Sequence, residues 1–356
     1  MIGFPEVDVN EVIAEYNIDV DSTTLVKVEN LKDSTSVFRV DRPGLFEELY
    51  IIDTVQGKNI ACHPHIVGRT LKTRAFAAAL EAAKAMSQLT AISTTNRDST
   101  VFANILRGAP GYELHTAFRE LNSGRGFREV WLRPKYEKIS YRSHDNESVA
   151  ELNIVYEDFE TLPEQKEIVL LKPDTEATGI TGQKSIERIV RKCEKVKSTI
   201  KEIILYGFMS IPALEKISET VRQHGINLVA FSIGNITELA HNSYDMTMYG
   251  IDESLWSLSG EIRKLGSIID PKTLERFLPE FVPGLDQPGD WSNRQTSVYV
   301  TKEEKEHIRV DGHLQSSINL IEKLRRISNY KLWQEQIAEK ELQRLLSTLK
   351  QFNNSI

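Results

Sequence analysis

The chain has 356 residues, of which 40% are hydrophobic, 8% aromatic and 27% charged, enough for one large or two ordinary packed domains. Its formal net charge of -7 argues against duplex nucleic acid as the main partner, although a small anion needs only a local basic patch. Two distant cysteines, Cys62 and Cys193, with no CxxC or Cys/His cluster, exclude a disulfide framework and a zinc ribbon and point to free thiols in a reducing compartment. The N-terminal residues lack the basic and apolar regions of a signal peptide, and no apolar run approaches the roughly 18 residues of a membrane span. A cytoplasmic, membrane-free protein is the expectation.

Residues 1–60 carry short alternating segments (TTLVKV, SVFRV, LYIIDTV) between turn residues, a β-rich N-terminal extension. KTRAFAAALEAAKAMSQL then has helical spacing and is rich in alanine. VFANILRG reads as a strand running into a glycine turn, and GYELHTAFREL as the helix after it. REVWLRPKYEKISYRS and ESVAELNIVYEDF are two long alternating segments, a hairpin that could serve as an arm or a lid. Next come EIVLL, GQKSIERIVRKCEKV, KEIILYGFMS, IPALEKISETVRQHG and INLVAFSIG, strands alternating with amphipathic helices. That alternation predicts an α/β fold with a parallel sheet covered on both faces. Residues 254–281 read as a helical insertion. The C-terminal 301–356 segment is charged and helical, with Ile337, Leu342, Leu345, Leu346, Leu349 and Phe352 on an apolar stripe suited to docking on the body of the protein.

One stretch stands out: LLKPDTEATGITG, where an apolar strand ends in Thr178, Gly179, Ile180 and Thr181 directly before a helix. In open α/β sheets ligands sit beyond the carboxyl ends of the strands. A loop entering a helix there presents free N–H groups and the positive end of the helix dipole, which suits a phosphate. Gly179 would let the backbone approach an oxyanion, and the threonines would add hydroxyl donors. The competing reading is a capped strand-to-helix turn with no ligand. The spacing does not match GxxxxGK[ST], so a Walker-type nucleotide site is disfavoured.

An aliphatic strand, an acid and then "ATGxT" at a helix start resembles the 5-phosphoribosyl-1-pyrophosphate (PRPP) loop of type I phosphoribosyltransferases. Two further stretches resemble the uracil phosphoribosyltransferase family: ILRGAPG (105–111) is similar to its ILRAGLP pyrophosphate loop, and VPGLDQPGDWSNRQ (282–295) to its VPGLGDAGDR base loop. CHPHIVGRTLKTRAF, VWLRPKY and YGIDESL add weaker echoes in the same order, so that the resemblance covers roughly 60–295. It implies a phosphoribosyltransferase-like domain over 61–300 that transfers ribose 5-phosphate from PRPP to a nucleobase or base-like acceptor, with Mg2+ accompanying PRPP, and a homodimer. The 5-phosphate cradle would be Ala177, Thr178, Gly179, Ile180 and Thr181. Arg107 and Arg133 would clamp pyrophosphate, and Asp174 would stand near the ribose hydroxyls. Gly284, Asp286, Pro288 and Asp290 would lie on the base-reading loop. Arg107 and Arg133 have surface salt bridges as their plainer alternative, and Arg74 reads as solvated.

This chain departs from the family at places that matter for substrate. Lys172 and Pro173 precede Asp174 where the uracil family keeps Asp-Pro; the lysine either replaces a metal ion or covers a strand end. Glu176 is an extra carboxylate that must turn away from the phosphate or bind ribose or a metal. Pro288 has no N–H to offer a base, and Gln287 replaces an acid. Uracil itself is therefore not the expected acceptor. Trp291 either stacks on another ring or packs against the domain. The alternative to an enzyme is a PRPP- or nucleotide-binding regulator or complex subunit without transfer activity.

Overall fold

The computed structural model describes residues 7–42, 48–136 and 152–353. The strands that build the main sheet are β1 (Thr23–Val26), β2 (Ser36–Val40), β3 (Glu48–Asp53), β4 (Thr100–Ile105), β5 (Arg128–Tyr136), β6 (Leu152–Asp158), β7 (Glu167–Pro173), β8 (Thr199–Ser210) and β9 (Asn227–Thr237). Their spatial order is β1-β2-β3-β9-β8-β7-β4-β5-β6. The six inner strands from β3 to β5 run parallel, whereas β1, β2 and β6 are antiparallel to their neighbours. The result is a mixed α/β structure around a large, mostly parallel sheet.

Alternation along the strands explains why both faces are covered. Val169, Leu171, Phe102, Ile204 and Tyr206 point into one apolar cluster, while Ile168, Leu170, Val101, Ala103, Ile203 and Leu205 point into another on the opposite face. The second cluster is closed by α5 (Ile180–Lys195) and α6 (Ile211–Gln223). The first holds α1 (Val9–Tyr16), α2 (Val55–Cys62), α3 (Gly68–Leu89) and α4 (Leu114–Leu121). Small side chains let α3 lie close to its neighbours, with Ala75, Ala79, Ala82, Ala83 and Ala85 all buried.

The segment 254–281 contains α7 (Glu253–Ser259) and α8 (Pro271–Phe277), with the short strand Ser267–Ile268 between them pairing antiparallel to the end of β9. The C-terminal segment forms α9 (Asp311–Ile327) and α10 (Leu332–Asn353). Ile337, Leu342 and Leu345 of the expected stripe are buried, and Leu349 and Phe352 pack against the same core, but Leu346 faces outward at 54% exposure. One cluster thus draws on the first 60 residues, the middle of the chain and its last helices. The N-terminal segment extends the central sheet through β3 rather than standing apart from it. The β5–β6 hairpin exists as an antiparallel pair at the sheet edge; its connection, 137–151, lies outside the described residues, and so does the choice between arm and lid. No helix among the described residues is long and apolar enough to cross a membrane.

Candidate functional site

The connection after β4 leads through α4 to β5 on one side, and that after β7 leads through α5 to β8 on the other. The two strands are adjacent and parallel, with Thr100 paired to Val169 and Phe102 to Leu171. Their carboxyl ends therefore diverge at a topological switch point, where an open α/β sheet leaves a crevice. The segment 105–111 leaves β4 here and 174–181 leaves β7. The two are linked through Tyr112, the residue after the first segment, whose hydroxyl lies 2.5 Å from that of Thr175. Tyr112 is fully buried, and burial pushes its phenol well above the usual range. Gly207 on β8 makes room for this arrangement: a Cβ there would stand 2.0 Å from the Asp174 carbonyl oxygen.

The expected phosphate loop enters α5 through Gly179, whose φ of 73° is a left-handed conformation that favours glycine. Its missing Cβ faces the neighbouring helix, for a Cβ at Gly179 would lie 2.8 Å from the Ala213 carbonyl oxygen of α6. Helix packing thus accounts for this glycine without a ligand. Ala177, Thr178, Ile180 and Thr181 are part-buried, and the Thr178 hydroxyl accepts a long hydrogen bond of 3.4 Å from the Ile180 N–H. The loop is pinned from below: the Ser210 hydroxyl donates to the Ala177 carbonyl, and the Ser210 N–H donates to the Glu176 carbonyl at 3.0 Å. Above it, the Tyr136 hydroxyl at the end of β5 hydrogen-bonds to the side chains of both Thr178 and Thr181. The two hydroxyls expected to receive a phosphate thus already share a phenol.

Beneath the helix entrance lies a buried charge cluster. Lys172 has no exposed surface; its ammonium pairs with the Glu176 carboxylate and, at 3.3 Å, with Asp174. Glu176 also lies against the first turn of α5, where a Cβ at Gly182 would stand 2.7 Å from its carboxylate, so it faces the helix and the lysine. Burial raises the pKa of both carboxyl groups, and Lys172 opposes that rise. The lysine is itself held protonated: its two carboxylates outweigh the desolvation that would lower its pKa. Its charge is internal to the loop.

Arg107 lies just beyond β4, after a cis Leu106–Arg107 peptide, and pairs with Glu306 at 2.8 Å. Arg133 on β5 is part-buried beside a register shift in the β5–β6 ladder and makes no ion pair among the described residues. Asp174 is part-buried, held by Lys172 and by the Thr175 N–H at 2.9 Å. Arg74 is not simply solvated, since it donates to the Gln56 side chain at 2.8 Å.

The expected base loop is packed away. Gly284, Asp286 and Pro288 are buried, Asp290 partly so. A Cβ at Gly284 would strike Leu324, and one at Gly289 would strike His313, both on α9. Asp286 accepts from the Met246 N–H at 2.9 Å, and Asp290 accepts from the Asn293 side chain at 2.6 Å. Trp291 takes the plainer of its two readings: its ring stacks on Tyr112 at 4.3 Å and its N–H donates to the Gly108 carbonyl at 3.1 Å. The loop does meet the 105–111 turn, but through Trp291 and Gln295, whose amide also donates to Gly108.

Sequence reasoning missed Arg294, the largest fully buried side chain among the described residues. Its guanidinium donates to the carbonyls of Ile60, His63, Ile66, Gln287 and Pro288 at 3.1 to 3.3 Å. Burial lowers its pKa to about 10, with Asp286 opposing the shift. An arginine four residues after an aspartate carries no local signal of this role, because its acceptors lie up to 234 residues away. Tyr136 and Tyr112 were missed for the same reason. No protein-family model matches the chain, and no curated protein matches it.

Proposed function

We propose that the protein is a phosphoribosyltransferase-like enzyme that binds PRPP in the crevice between the 105–111 and 174–181 segments and transfers ribose 5-phosphate to a base-like acceptor other than uracil. The observation that carries this reading is the switch point itself, which puts two segments expected from the sequence side by side at the carboxyl ends of β4 and β7. In this reading the first-turn N–H groups of α5 and the hydroxyls of Thr178 and Thr181 hold the 5-phosphate once Tyr136 yields them. Arg107 and Arg133 receive the pyrophosphate, whose departure they favour by stabilising its charge. Asp174 stands near the ribose.

The Asp174–Glu176 pair does not fit a resident Mg2+, because the Lys172 ammonium already occupies the position between the two carboxylates. Mg2+ enters only as the counter-ion of the diphosphate substrate. The second reading, binding without transfer, is favoured by two observations. The base loop is buried under α9, and Arg107 is neutralised by Glu306.

Calorimetry with PRPP, with and without Mg2+, tests the shared part. Binding by the wild type and its loss in Thr178→Tyr, which fills the cradle, is the expected result; equal binding by a folded variant would refute the placement of the phosphate. Exchange of labelled pyrophosphate into PRPP in the presence of candidate bases then separates the two readings.

A further inference from the structure

Away from this crevice, the loop after α2 meets α10 through an unusual set of side chains. His63 and Glu341 are buried and His65 is part-buried. The Nδ1 atom of His63 lies 2.9 Å from one Glu341 oxygen, and Nδ1 of His65 lies 2.5 Å from the other. One ligand atom from each residue can be chosen so that all lie within 4.8 Å of one another. On its far side, Nε2 of His63 lies 2.9 Å from Glu280, which is also paired with Lys58.

A neutral imidazole has one N–H. An imidazolium gives one N–H to each carboxylate; a neutral His63 that gives its N–H to Glu280 turns its Nδ1 lone pair to Glu341, and there a metal ion can take the place of the proton. A carboxylate holding the outer nitrogen of a histidine is also what orients metal-binding imidazoles. Arg344 supplies some positive charge, with its guanidinium 3.2 Å from Glu341 and 3.3 Å from His63 Nδ1. Its side chain is 36% exposed, so it has a way out to solvent.

We propose that His63, His65 and Glu341 bind a zinc-class divalent transition metal that clips α10 to the loop before α3, with Glu280 orienting His63. Two imidazoles and one carboxylate suit zinc or its neighbours and do not suit Mg2+ or Ca2+, which take oxygen ligands. Tetrahedral bonds of about 2.0–2.1 Å place ligand atoms roughly 3.3 Å apart. The separations here run from 2.5 Å to no more than 4.8 Å and so bracket that value, and side-chain adjustment with the withdrawal of Arg344 completes the site. The metal would sit beside the Arg294 network, which takes the His63 carbonyl as one of its acceptors at 3.1 Å.

The test uses the full chain, stripped with chelator, titrated with Zn2+ by calorimetry and with Co2+ by visible absorption. One equivalent should bind, with Co2+ bands of a four-coordinate nitrogen–oxygen site, and the melting temperature should rise. His65→Gln, at the most exposed ligand and so the variant safest for folding, should lose more affinity than Glu280→Gln, which should lose about 10- to 100-fold. Arg344→Gln should bind more tightly than the wild type. The proposal is overturned if the wild type binds no stoichiometric metal. It is also overturned if a folded His65→Gln binds as well, or if a thiolate-to-cobalt band places the metal on the neighbouring Cys62.

Discussion

Replacing Lys172 by methionine probes the charge cluster beneath the phosphate loop. Methionine keeps most of the apolar stem of this fully buried side chain and removes only the ammonium. The carboxylates of Glu176 and Asp174 then remain buried without their shared cation. Breaking a buried pair in this way costs about 3–5 kcal/mol when the survivor must stay charged. The survivors have an escape, because they can take up a proton. Burial already raises the Glu176 carboxyl from its ordinary 4.5, with Lys172 opposing, and losing Lys172 raises it further. A carboxyl whose folded pKa exceeds its unfolded value favours folding at low pH and loses that contribution as pH rises toward the folded value. The variant keeps losing stability through a higher pH range than the wild type, by up to about 1.4 kcal/mol per pH unit and proton. Urea unfolding of both proteins should therefore show a deficit that is larger near about pH 8 than near about pH 6. A deficit that is the same at both, or below about 1 kcal/mol at the higher pH, would refute the reasoning, because exposed pairs behave that way.

Arg294→Met should cost about 3–5 kcal/mol in the same assay, since five buried carbonyls lose a charged donor at once; a loss near zero would mean that water replaces the guanidinium. Tyr136→Phe should tighten PRPP binding by roughly 5- to 100-fold, since the ligand no longer has to displace two neutral hydrogen bonds of about 0.5–1.5 kcal/mol each. Calorimetry showing weaker binding would instead make the phenol part of the ligand site.

The elements that could be read from residue order are those whose periodicity is strong and local. Alanine spacing marked α3, and apolar runs with glycine stops marked β7, β8, β9 and the helices between them. The helices α1 and α2 escaped: α2, VQGKNIAC, has a glycine and no long apolar stripe, and its main signal is the Thr54 cap on Gly57. The 174–181 segment was likewise legible as a strand end entering a helix, because the hydroxyls, the glycine and the helical spacing after them lie within a few positions. Its use of Gly179 was not, since the side chain that glycine lacks would meet Ala213, a residue of a different helix.

Local pattern says which face of an element is apolar and where it ends. It does not say which distant element will cover that face. Only the folded chain decided that β3 lies beside β9, that Tyr136 reaches Thr178 and Thr181, that α9 seals the 284–289 loop, and that Arg294 finds its carbonyls. Each of these is a choice of partner across tens to hundreds of residues, made by shape and by the need to satisfy every buried polar group, and neither is written in any short stretch of sequence.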